Sequence, residues 1–89
     1  DKRSAFEQLL TQTNTAAEAC GFIGDDVIDL PILLRVGFAA SVPNAHTEVR
    51  SRVHYVTQAS GGRGAARELC DFILRAQGNY EAAMAPYLA

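Results

Sequence analysis

Ala19-Cys20-Gly21-Phe22-Ile23-Gly24-Asp25-Asp26-Val27-Ile28-Asp29 runs from a continuous apolar stretch straight into an acidic one. A short, unbroken apolar run suits a parallel strand covered on both faces. In open α/β sheets ligands bind beyond the carboxyl ends of the strands, which is where Asp25, Asp26 and Asp29 fall. Carboxylates this close repel one another. A hard divalent cation such as magnesium relieves that repulsion, because it prefers carboxylate and water oxygens. Asp also serves strand-to-helix turns and helix N-caps. One Asp here carries no message and two fit a turn plus a cap, but the third favours a metal site.

Outward from this stretch the chain alternates helices and strands. Ala5, Phe6, Leu9 and Leu10 recur at helical spacing, so a helix with one buried face is expected over residues 3–12, closed by Thr13 and Asn14. Residues 19–23 form the first strand. Pro31 is tolerated in a first helical turn, so the next helix is expected over residues 29–36, with Gly37 as its C-terminal stop. Residues 38–42 read as a second strand, Pro43-Asn44 as a turn, residues 47–51 as one helical turn and residues 53–57 as a third strand. Residues 58–64 are a Gly- and Ser-containing loop. Residues 65–77 give the clearest helix, with Ala65, Leu69, Phe72, Ile73 and Ala76 on one side and Gly78 as its stop. The remainder, 79–89, is a tail carrying Tyr80, Met84, Pro86, Tyr87 and Leu88. There is no internal repeat, linker or low-complexity tract. The β-α-β-α-β-α order predicts an α/β fold, a three-layer Rossmann-like parallel sheet with helices on both faces. Three strands with open edges make a poor free-standing domain, so further strands are expected to complete the sheet.

Composition narrows the class. With 48% hydrophobic residues, the 89-residue chain is globular in character. A formal net charge of −2 gives no basic footprint for nucleic acid. No apolar run approaches membrane-spanning length, and no signal peptide is visible. Cys20 and Cys70 lack zinc-ligand spacing and sit among apolar neighbours, so both are read as buried free thiols in a reduced, cytoplasmic setting.

Gly24-Asp25-Asp26-x-x-Asp29 after a hydrophobic strand resembles the fourth motif of the haloacid-dehalogenase-like phosphohydrolases, and Lys2 sits where their third motif carries its lysine. Gly61-Gly62-Arg63-Gly64-Ala65-Ala66-Arg67-Glu68-Leu69-Cys70 resembles a narrower group among them, the 3-deoxy-D-manno-octulosonate 8-phosphate phosphatases, which act in making the inner sugar of lipopolysaccharide. Asp29-Leu30-Pro31, Val36-Gly37-Phe38, Asn44-Ala45-His46 and Tyr55-Val56-Thr57 fit the same group. The likeness therefore runs along nearly the whole chain. It departs at Ile28, where many members have Asn, and in the first motif, since no Asp-x-Asp pair occurs. On this reading residues 1–78 are the C-terminal portion of a phosphatase core and 79–89 its tail.

The resemblance implies a magnesium-dependent phosphatase. An Asp of the absent first motif attacks phosphorus, forms an aspartyl-phosphate, and water hydrolyses it. Asp25 matches the aspartate that binds magnesium directly, while Asp26 acts through a water or organises the ligands. Asp29 orients Lys2 or caps the following helix. Lys2 is the catalytic lysine that offsets charge on the nucleophile and the phosphoryl oxygens. Gly61, Gly62 and Arg63 bring backbone N–H groups and a guanidinium fork towards the substrate. His46 is given no catalytic role. The resembled enzymes are homotetramers without a large cap domain, whose neighbours help close each active site. The expected partners are a sugar-acid phosphate and an upstream segment bearing Asp-x-Asp, with no nucleic acid and no membrane. By itself the chain is expected to be inactive. Two alternatives stand beside this: a phosphatase for another sugar-acid phosphate of neuraminic type, and a non-catalytic fragment.

Overall fold

A computed structural model describes residues 2–88 of the chain. Helix α1 spans Lys2–Thr13, and strand β1 spans Gly21–Ile23. A 3-10 turn at Val27–Asp29 leads into α2, Leu30–Leu33. Strand β2 is Phe38–Ser41, α3 is Thr47–Arg50 and β3 is Tyr55–Val56. Two helices close the chain, α4 at Ala65–Ala76 and α5 at Tyr80–Leu88. The strands form one parallel sheet in the order β1-β2-β3. Ala39 lies opposite Phe22, and Ala40 is paired with Ile23 on one side and Tyr55 on the other.

Side chains alternate across a strand, and β2 shows what each face of the sheet meets. Phe38 stacks on Phe72 of α4 with ring centroids 6.1 Å apart, and Phe72 in turn stacks on Tyr55 of β3 at 4.6 Å. The next residue, Ala39, belongs to the opposite face and to a core with Ile32 and Leu33 of α2, Val36, Val42, Ala45, Val49 and Ala65. Helices thus cover both faces, as the alternating pattern predicts. The small side chains of β2 are fully buried at Ala39, Ala40 and Ser41, between the two neighbouring strands.

Several elements differ from expectation for identifiable reasons. Strand β1 begins later than residue 19, because Ala17–Ala19 closes a 3-10 turn in which the Cys20 N–H donates to the Ala17 carbonyl at 3.0 Å. Among the described residues β2 occupies the middle of the three strands, and β1 beside it has Gly21 exposed and Phe22 and Ile23 half-buried. The helix after the acidic run is regular only over Leu30–Leu33, and Pro31 sits in its first turn as expected. Gly37 does not serve as a left-handed helix stop. It is required because a Cβ there would lie 1.9 Å from the Glu18 carbonyl oxygen, so two backbone segments touch. Gly78, by contrast, does end α4 at φ +76°. The tail is helical from Tyr80 to Leu88. Of the two cysteines, Cys20 is half-buried and Cys70 is exposed, correcting the expectation of two buried thiols. A helix turns about 100° per residue, so the register that buries Leu69 carries its neighbour Cys70 outwards.

The Gly37 contact gives a direct check. Gly37→Ala forces backbone against backbone and should destabilise the complete polypeptide by about 1–3 kcal/mol in urea unfolding. Gly78→Ala meets open space and only its backbone conformation resists, so it should be the milder change. A neutral Gly37→Ala would show that the two segments can separate freely.

Candidate active site

The acidic loop is fastened at almost every backbone group. The Gly24 N–H donates to the Ala40 carbonyl at 3.1 Å, continuing the β1–β2 ladder. The Gly24 carbonyl accepts the hydroxyl of fully buried Ser41 at 2.6 Å. The Asp25 carbonyl accepts the His46 N–H at 3.0 Å. His46 also caps α3, its Nδ1 accepting the Glu48 N–H at 3.0 Å. Sequence reasoning gave Ser41 and His46 no part in the site. The one available signal was Ser41, a lone polar residue in an apolar strand.

Asp29 turns inward. It is 3% exposed, and its Oδ2 accepts the N–H groups of Asp25 at 3.1 Å and Asp26 at 3.2 Å. Its Oδ1 accepts from Lys2 Nζ, which reaches it from the first turn of α1. Asp26 is the N-cap of the 3-10 turn, its Oδ1 accepting the Val27 N–H at 2.6 Å, and it forms a reciprocal capping box with Asp29. Gly24 makes this packing possible, since a Cβ there would sit 2.8 Å from both the Cβ and the Oδ2 of Asp29. Burial pushes the Asp29 pKa up. The Lys2 hydrogen bond and the two backbone N–H groups outweigh that and hold it below the ordinary aspartate value. The same hydrogen bond raises the Lys2 pKa, burial partly opposing it.

Lys2 and the two backbone N–H groups thus neutralise the Asp29 carboxylate in particular. Among the described residues no three His, Cys, Asp or Glu side chains converge to hold a metal ion unaided. Asp25 is the exception in its neighbourhood. It is exposed, and among the described residues its carboxylate makes no hydrogen bond or salt bridge. An ionised carboxylate on a fixed backbone suits one position of a hard-cation site whose remaining ligands are water, phosphate or residues beyond this chain.

Lys2, Asp25 and Asp29 line one cavity of about 330 Å³ with Gly24, Gly61 and Gly62. The loop of residues 58–64 thus arrives opposite the acidic loop, with the Gly61 N–H donating weakly to Asn44 Oδ1 at 3.4 Å. Asp26 and Arg63 do not line the cavity; Asp26 is spent on its cap and Arg63 is exposed on the loop. Asp1, adjoining the Lys2 motif in sequence, lies outside the described residues.

A parallel sheet with an acidic loop and a lysine at the carboxyl end of one strand is the arrangement of a phosphohydrolase core. Residues 1–69 match the haloacid dehalogenase-like hydrolase family, and the chain belongs to it. It is 45% identical over 83 residues to the 3-deoxy-D-manno-octulosonate 8-phosphate phosphatase of Yersinia pestis, covering 93% of this chain and 44% of that enzyme. A probable YrbI family phosphatase from Pseudomonas syringae superposes with a TM-score of 0.94 at 46% identity, covering 100% of this chain and 51% of that one. The Moraxella catarrhalis 3-deoxy-D-manno-octulosonate 8-phosphate phosphatase, solved with a magnesium ion, a phosphate ion and a KDO molecule, superposes at 0.92 with 39% identity, covering 98% of this chain and 50% of that one. The chain spans about half the length of the curated relatives it matches.

The Asp29 environment has a defined pH signature. Its folded-state pKa lies below the ordinary 3.8, so its stabilisation is complete above the unfolded value and is lost as pH falls through the folded one. In a chelator, urea stability of the complete polypeptide should hold constant down to about pH 5 and decline below it. Asp29→Asn should make that acid decline shallower. An unchanged acid limb in Asp29→Asn would remove this carboxylate as its source.

Proposed function

We propose that this chain is part of a magnesium-dependent phosphatase that hydrolyses 3-deoxy-D-manno-octulosonate 8-phosphate to the free sugar acid and phosphate. The attacking aspartate and the general acid/base belong to an Asp-x-Asp segment outside this sequence. What carries the reading is the shared cavity: the Lys2–Asp29 pair, the unpaired Asp25 and the Gly61-Gly62 turn all face it. Phosphoryl transfer asks for positioning and charge stabilisation above all. Lys2 spends one of its three N–H donors on Asp29. Among the described residues the others have no partner, which leaves them to steady the nucleophile's carboxylate and the phosphoryl oxygens. Asp25 would hold the magnesium ion, which offsets charge on those oxygens. Asp29 fixes Lys2, and Asp26 keeps the loop backbone in place. Gly61 and Gly62 lack side chains, so substrate can approach their backbone, and Arg63 at the loop tip offers a fork for the sugar-acid carboxylate. The activity of its relatives, 3-deoxy-D-manno-octulosonate 8-phosphate phosphatases, supports this substrate class. The homotetramer, with a neighbour closing each site, rests on the family resemblance. A cytoplasmic setting is supported by the free Cys20 and Cys70, and among the described residues no helix is long and apolar enough to cross a membrane.

Two measurements on the complete polypeptide test the roles. Asp29→Asn should weaken magnesium binding, read by calorimetry, by about 10–100-fold, as is usual for a residue that orients ligands. Asp25→Asn should weaken it more. Unchanged magnesium affinity in Asp25→Asn removes that residue from the site.

Arg63→Ala should raise KM for the sugar-acid phosphate about tenfold, the order of one lost charged hydrogen bond. A small aryl phosphate without a carboxylate should be little affected. Equal losses on both substrates would give Arg63 a general phosphate role instead.

A further inference from the structure

The glycine loop is held in place by a side chain outside it. Glu68, in the first turn of α4, turns its carboxylate back over the helix N-terminus. Its Oε1 accepts the Ala59 N–H at 2.8 Å and its two oxygens share the Gln58 N–H at 3.0 and 2.8 Å. The Tyr55 hydroxyl donates to Oε2 at 2.9 Å. At the other end of the loop, the Glu68 N–H donates to the Gly64 carbonyl at 2.9 Å. One residue therefore ties both ends of the segment 58–64. Between these ties the Thr57 hydroxyl donates to the Ala59 carbonyl at 2.7 Å and the Arg63 N–H to the Ser60 carbonyl at 3.0 Å. Gly62 and Gly64 take positive φ values of 76° and 97°, the bends that return the chain to the helix. The tip itself has one weak outside tie, the Gly61 N–H to Asn44 Oδ1 at 3.4 Å, and residues 61–64 are exposed.

We infer that Glu68 is a positioning residue for substrate recognition, setting where Gly61, Gly62 and Arg63 stand by clamping the base of their loop. This rests on the reading that those residues meet the substrate. The clamp is specific to a carboxylate of this length. An ionised carboxylate is acceptor-only and has lone pairs for all the donors aimed at it. The Ala59 and Gln58 N–H groups, with a smaller contribution from Tyr55, keep the Glu68 pKa below the ordinary glutamate value against the effect of burial, so it is ionised at neutral pH. An amide would turn an N–H group towards one of those donors, and aspartate is shorter by a methylene.

The test uses the complete polypeptide with two substrates, a sugar-acid phosphate and a small aryl phosphate. Glu68→Gln should raise KM for the sugar-acid phosphate about tenfold, as expected for a lost charged hydrogen bond, and leave kcat on the aryl phosphate within about threefold. Placed on an Arg63→Ala background, Glu68→Gln should add less than about a further twofold, because coupled residues give non-additive effects. Tyr55→Phe removes one donor and keeps the ring stack, so it should show a smaller KM increase in the same direction even if Glu68→Gln folds poorly. A fall in kcat on both substrates alike, or full additivity with Arg63→Ala, would overturn the positioning role and leave Glu68 a stability residue. Arg63→Ala alone affecting both substrates equally overturns the underlying carboxylate reading instead, so the two failures are told apart.

Discussion

The site depends on keeping one carboxylate, that of Asp29, out of water. Such burial is unfavourable unless hydrogen bonds and an opposite charge replace the lost hydration. Here two consecutive backbone N–H groups and Lys2 do so. The arrangement constrains everything around it. Gly24 has to lack a Cβ, and the loop backbone has to turn its N–H groups inward. The start of α1 has to lie over the end of β1, although 27 residues separate Lys2 from Asp29. Because Asp29 takes the inward position, the Asp25 carboxylate is left outward, with no hydrogen bond or ion pair among the described residues.

The same device recurs on the other side of the cavity. After β1, a carboxylate from the following helical turn accepts consecutive N–H groups of residues 25 and 26. After β3, a carboxylate from the following helix accepts those of residues 58 and 59. In both cases the pKa is lowered by what the carboxylate accepts, and a loop at a strand's carboxyl end is fixed to the element behind it. Loops built this way present backbone and side chains to a ligand without apolar packing of their own. Rigid placement of reacting groups is what a phosphoryl-transfer site requires.

Local pattern carried much of the architecture. The helical spacing of Ala5, Phe6, Leu9 and Leu10 marks α1, the run from Ala65 marks α4, and Gly78 ends α4 as its position suggests. These are properties of neighbouring residues, which backbone geometry translates directly; the buried face expected of α1 is a different matter, since no residue of that helix is buried among the described residues and Leu9 is 57% exposed. The helical form of the tail was less legible, because Pro86 within α5 argues against a helix from local rules alone. The apolar run at residues 19–23 identified a strand and not its place in the sheet. Strand order depends on which segments pair across tens of residues, and among the described strands β2, rich in alanine, lies between the other two.

For the site, the sequence by itself determined the chemistry on offer: clustered carboxylates at a strand end, a lysine opening a helix, and a glycine loop with an arginine before another helix. It determined the parallel α/β class as well, because alternating strand and helix patterns admit few other solutions. Only the tertiary structure decided how those groups divide the work. It turned Asp29 inward to Lys2, spent Asp26 on a cap, left Asp25 open, and brought Gly61 and Gly62 to the same cavity while Arg63 stayed at the exposed tip. It also recruited Ser41, His46 and Glu68, which no motif reading singled out as site residues. The physical reason is that a hydrogen bond is settled by distance and direction between groups far apart in sequence, and those exist only once the chain has packed.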